Sequence, residues 1–168
     1  MKHIVALIAF VAISFSSIQG FAQNTKQLVV RANSASQNCH SLRRQVAYLV
    51  GQLKRQQQAS VCSIQQGKLR KLRVQAVLLR RSLQQICGLV DRQAVSIRLS
   101  ARGYQGCGSC LVYGQCGSCP IQGAALRRSC QQNARKIRRQ SKRLNQLEAE
   151  CSAANRRYVS LLRQSNQS

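Results

Sequence analysis

The sequence predicts an all-α protein: an elongated antiparallel helical hairpin or three-helix coiled-coil-like bundle, stapled by disulfides and capped by a Gly/Cys-rich loop. Three observations predict it. Apolar residues recur every seven positions over three long segments. The chain has no Trp, three Phe and one Pro, so its apolar content is Leu, Val, Ile and Ala, which suits helices better than a sheet sandwich. Its cysteines outside the loop fall on or beside the apolar seams, where interhelical bridges would need them.

Residues 1–22, MKHIVALIAFVAISFSSIQGFA, start with Lys2 and His3, run apolar from Ile4 to Ile13 and reach small residues before Gln23. They read as a secretory signal peptide cleaved after Ala22. The apolar run is too short to span a bilayer, and no later segment lacks charge for long enough. The mature chain is therefore expected to be secreted and extracellular, with no transmembrane segment. Residues 23–38 look polar and aperiodic and are expected to form a flexible N-terminal arm.

The helical domain is expected over 39–165. Its first helix, about 39–58, places Cys39, Val46 and Leu53 at heptad position a, with Leu42, Leu49 and Gln56 at d. The second, about 61–100, has the longest seam. Cys62, Leu69, Ala76, Leu83, Val90 and Ile97 occupy a, and Leu72, Leu79 and Ile86 occupy d, interrupted by Gln65 and Gln93. Gly67 and Gly88 are expected to weaken or kink this helix. The third, about 124–164, carries Cys130, Ile137, Leu144, Cys151 and Tyr158 at a. Leu126, Leu147, Ala154 and Leu161 fill its d positions, and Asn133 and Gln140 are polar interruptions.

Between the second and third helices lies the loop 103–120, which holds two copies of Tyr-x2-Cys-Gly-Ser-Cys with Cys107, Cys110, Cys116 and Cys119. Two CxxC pairs suggest a four-thiolate zinc site, a redox centre or structural disulfides. The five residues between Cys110 and Cys116 are fewer than zinc ribbons use, and an oxidising compartment disfavours free thiolates. A thioredoxin-like site needs its CxxC to open a helix in a βαβ setting. Structural disulfides are the preferred reading, with no metal and no cofactor expected. Antiparallel packing brings Cys87 towards Cys130, and Cys39 to the same end. It leaves Cys62 to bridge Cys151 at the other end: Cys62 and Cys87 lie about 37 Å apart along the second helix and Cys130 and Cys151 about 31 Å apart along the third, a tolerable mismatch of roughly 6 Å. Nine cysteines leave one thiol free or paired with another chain.

Charge narrows the function. The 27 Lys and Arg face only Asp91, Glu148 and Glu150, a net charge of +24 that becomes +23 when the signal peptide removes Lys2. Such a balance predicts contact with polyanions. Arg127, Arg128, Arg135, Lys136, Arg138, Arg139, Lys142 and Arg143 of the third helix are the candidate contacts. The expected partners are acidic extracellular proteins, sulfated glycans or mineral anions, and disulfide-linked oligomers of the chain itself. Nucleic acid would bind such a surface in vitro, but the secretory route does not lead to it. No enzyme is expected. The sequence has no GxGxxG, P-loop or GxSxG. Three acids are too few for paired-carboxylate chemistry, and His40 reads as an exposed helix-start residue with no carboxylate near it in sequence.

Two function classes follow. One is a cross-linked structural protein of an extracellular matrix; the other is a soluble cationic effector, antimicrobial or gamete-surface, acting on anionic membranes. The duplicated loop, the odd cysteine and the 24 glutamines favour the first. The stretch GYQGCGSCLVYGQCGSCP also resembles the Gly/Tyr/Cys-rich tracts of basic secreted matrix proteins of invertebrate mantle and shell. The resemblance covers eighteen residues and is one of composition. It implies a role in organising an extracellular, mineralised matrix (biomineralization).

Overall fold

The computed structural model describes the backbone of residues 2–113 and 120–167, and side chains over 24–103, at 125 and over 128–167. Three helices account for the described backbone apart from 60–62 and 167: α1 (Lys2–Ala59), α2 (Ser63–Tyr113) and α3 (Pro120–Asn166). The chain is thus all-α, a helical bundle as the heptads predict. It divides into two compact units, one of Asn33–Gln93 with Arg143–Ser168 and the other of Met1–Ala32 with Ala94–Lys142.

The first unit contains a continuous hydrophobic core. Cys39, Leu42, Val46, Leu49 and Leu53 of α1 meet Leu69, Leu72, Ala76, Leu79, Leu83 and Cys87 of α2 and Ala154 and Leu161 of α3, with Ile86, Cys151 and Tyr158 packed against them. These are the predicted a and d residues, with Cys87 added from the neighbouring e position. Each fully buried Leu contributes about 1.5–3 kcal/mol from the apolar surface it removes from water, so this seam holds the three helices together. Directions follow from the facing pairs. Arg73 donates to Gln57 while Asp91 meets His40, so α2 runs against α1. Ser165 donates to Gln56 while Cys151 meets Cys39, so α3 runs parallel to α1.

The turn between α1 and α2 is residues 60–62. Glutamines close it: Gln66 Nε2 donates to the Ser60 carbonyl at 2.5 Å, and the Ser60 hydroxyl donates to Gln65 Oε1 at 3.0 Å. Cys62 therefore caps the start of α2 and does not begin its seam. It is exposed, as are its neighbours Val61 (99%) and Ile64 (72%).

In the second unit, Thr25, Leu28 and Ala32 of α1, Ala94, Ile97, Ser100 and Ala101 of α2, and Ile137 and Gln140 of α3 are buried. The polar interruption at Gln140 has a partner across the seam: its Nε2 donates to Ser96 Oγ at 2.6 Å and to Ser100 Oγ at 3.1 Å. Buried amides require such acceptors.

Several expectations are corrected. The arm expected over 23–38 is helix, because Thr25 and Ala32 continue the a row and Leu28 the d row. Those small or isolated apolar residues gave little hydropathy contrast. The second helix does not end near Ser100 but continues to Tyr113, and the third begins at Pro120. Of the loop expected over 103–120, residues 103–113 and 120 are therefore helix, and 114–119 lie outside the described residues. Gly67 and Gly88 neither end nor interrupt α2, which is continuous.

Candidate functional site: three sulfurs beside an acid–histidine pair

Within the first unit, Cys39 of α1 and Cys87 of α2 form a disulfide. Cys151 of α3 is a free, half-buried thiol whose Sγ lies 3.2 Å from Cys39 Sγ. Three helices thus each bring one sulfur to the same level. The expected Cys62–Cys151 bridge is absent: both thiols are free. Cys87 likewise bonds Cys39 and not Cys130, which belongs to another disulfide.

The error was one of register. Pairing Cys87 with Cys130 puts the centre of the α2–α3 hairpin near position 108. In that register Cys151 would face residue 66 of α2; with α2 continuing to Tyr113 it lies instead at the level of Cys87, a slip of about 20 residues, which at 1.5 Å per residue of helix is roughly 30 Å. Cys151 is thereby carried to the level of Cys87, far from the turn that holds Cys62. Of the loop cysteines, Cys116 and Cys119 and the side chains of Cys107 and Cys110 lie outside the described residues.

The two free thiols differ chemically. At Cys62, hydrogen bonds from the backbone N–H of Gln65 and then Ile64, helped by the charge of Lys68, hold the thiol below its ordinary value. This is the start of α2, where unpaired N–H groups favour an anion. At Cys151, burial first, then Glu150 and Glu148, push the thiol up. Cys62 is therefore the more nucleophilic at neutral pH, and Cys151 is held protonated.

One turn from Cys87, Asp91 faces α1. Ser36 Oγ donates to Asp91 Oδ1 at 2.6 Å, and His40 Nε2 lies 2.9 Å from Asp91 Oδ2. Burial opposes ionisation of Asp91, but the hydrogen bonds from Ser36 and His40 and the charges of His40 and Arg43 outweigh it and hold the carboxyl below its usual range. His40 is thus inside α1, partly exposed (38%), with a carboxylate partner 51 residues away in sequence. Sequence reasoning missed this pair. The signal was the antiparallel register itself, which sets the turn after Cys87 against the turn holding Ser36 and His40. In a nucleophilic triad the serine would bond the imidazole. Here hydroxyl and imidazole both address the carboxylate, so the arrangement satisfies an acid and does not activate a serine.

The depressed Asp91 carboxyl gives a pH prediction. Its stabilisation is complete above the unfolded value of about 3.9 and is lost as pH falls through the lower folded value. Because both side chains are more than a third exposed, Asp91→Asn should lower stability by only about 0.5 kcal/mol at neutral pH. Thermal melts followed by circular dichroism should show this gap closing in acid. A gap that stayed constant down to strong acid would contradict the role assigned to the pair.

The polyanion candidates Arg128, Arg135, Lys136, Arg138, Arg139, Lys142 and Arg143 are all exposed, and the Arg127 side chain lies outside the described residues. Arg138 also lines, with Arg31, Asn24, Gln27 and Ser141, a groove of about 460 Å³ within the second unit. With Thr25, two guanidinium groups and four uncharged polar side chains line it, a set that suits an anionic oxygen. Among the described residues no cluster of His, Cys, Asp and Glu could hold a metal ion, and no helix is long and apolar enough to cross a membrane.

Comparison with known proteins adds no relative: no family model, curated protein or solved structure matches the chain.

Proposed function

We propose that this is a secreted cationic structural protein of an extracellular matrix, which binds polyanions through its exposed Lys and Arg faces and is cross-linked between chains through Cys62. The observation that carries the reading is the state of Cys62: a free thiol, exposed on a turn, with its pKa lowered by the helix start. An exposed, activated thiol on a secreted chain pairs with another chain in an oxidising compartment. The charge supports the other half of the reading. Three acids cannot neutralise 27 cations, so most Lys and Arg remain available to sulfated glycans, acidic proteins or mineral anions. The composition of the Gly/Tyr/Cys stretch points, within matrix proteins, to a mineralised one.

The test is extraction of the native protein from its secreting tissue with salt and denaturant, with and without reductant. Release as disulfide-linked dimers joined through Cys62 peptides is the expected result. Complete release by salt as a monomer would overturn the matrix reading and favour a soluble cationic effector. Vesicle lysis would then be measured.

A further inference from the structure

We propose that Cys39, Cys87 and Cys151 form a thiol–disulfide exchange site in which Cys39 is the shared sulfur, bridged to Cys87 in one isomer and to Cys151 in the other. The geometry is the argument. A disulfide is opened by a thiolate that reaches one of its sulfurs, and the Cys151 sulfur already lies 3.2 Å from Cys39 Sγ. Cys39 and Cys87 are 1% and 0% exposed, so thiols in solution are excluded, whereas Cys151 reaches the bridge from inside the fold. The three residues come from three helices and belong to the same hydrophobic cluster as Leu83, Ile86 and Ala154.

The step balances without any outside oxidant. Cys151 gives up its proton and attacks Cys39 Sγ; the Cys39–Cys151 bond forms as the Cys39–Cys87 bond breaks. Cys87 leaves as a thiolate and takes a proton. One disulfide and one thiol exist before and after. What changes is the connection: α1 is tied to α2 in the first isomer and to α3 in the second.

The surroundings make the exchange slow. Burial and the two glutamates beside Cys151 keep its thiolate scarce at neutral pH. On the other two helices the titratable groups near this level are His40 and Asp91, which engage one another, and Arg43, whose charge acts on Asp91. Raising the pH should therefore speed the exchange by ionising Cys151.

The test uses the full chain carrying Cys62→Ser, which removes the exposed thiol that would scramble bridges between molecules. The oxidised protein is incubated at neutral and alkaline pH, quenched in acid, unfolded, labelled with a maleimide and mapped as peptides. The expected result is a Cys39–Cys151 cross-linked peptide accompanied by an equal amount of labelled Cys87, appearing faster at alkaline pH. With Cys151→Ser added, Cys87 should stay unlabelled. A second variant, Cys87→Ser, should form the Cys39–Cys151 bridge when treated with glutathione disulfide. The proposal is overturned if Cys87 is never labelled while the chain remains helical. It is equally overturned if Cys87 is labelled to the same extent without Cys151, or if helical Cys87→Ser leaves Cys39 and Cys151 both free.

Discussion

Replacing Cys39 by Ser lowers the stability of the oxidised protein by about 4 kcal/mol, the chain-entropy value for a bridge that closes the 48-residue separation between Cys39 and Cys87. The melting temperature should fall by on the order of 10 °C. The bridge joins α1 to α2 inside the core of the first unit, so its loss frees a long segment of the unfolded chain and also leaves a buried hydroxyl among Leu and Val side chains. Calorimetry of the oxidised and fully reduced proteins checks the cause. The gap between the two proteins should shrink by about 4 kcal/mol when both are reduced, leaving only the cost of the buried hydroxyl. A Cys39→Ser protein as stable as the oxidised parent would mean that the bridge does not form. Cys87→Ser should lose less, because Cys151 can take the place of Cys87.

The second large effect has the opposite sign. Changing Gly51, Gly67 and Gly88 together to Ala should raise stability by about 2–3 kcal/mol, near 1 kcal/mol at each site. All three lie inside continuous helices, and a Cβ added at any of them meets nothing within 4 Å. No packing interaction opposes the gain, which comes from the unfolded chain losing conformational freedom. A triple variant that melts at or below the parent temperature would show that these glycines permit a local bend that the folded protein requires.

Much of the fold was legible because the heptads are written in large residues. Leu69, Leu83, Ile97 and Leu144 give unmistakable spacing, and all are buried. The beginning of α1 was missed for the converse reason: Thr25 and Ala32 occupy seam positions with side chains too small or too polar to stand out. The Gly-rich stretch from Gly103 was read as loop on propensity, yet α2 runs through it to Tyr113. That single misreading displaced the register of α3 and with it the cysteine pairing, since connectivity depends on which residues face one another and not on their spacing along the chain. The site was therefore legible as a set of residues and not as an arrangement. Seam positions marked Cys39 and Cys151, but nothing local showed that they meet, or that Asp91 would meet His40. The cationic face was the easiest part to see. Charge without partners has to be exposed, and the described candidates are.

The place of Cys62 limits what it can build. A turn of three residues offers a single sulfur, so the linkage through Cys62 by itself gives each molecule a valence of one. Joining two identical thiols produces a two-fold symmetric pair and then stops. Pairs do not percolate into a solid. If this chain belongs to a continuous material, the remaining junctions must be reversible and many-sided, with long polyanions threading between the covalent pairs. The resulting network would swell in salt before it dissolved, and would need both salt and reductant to come apart completely.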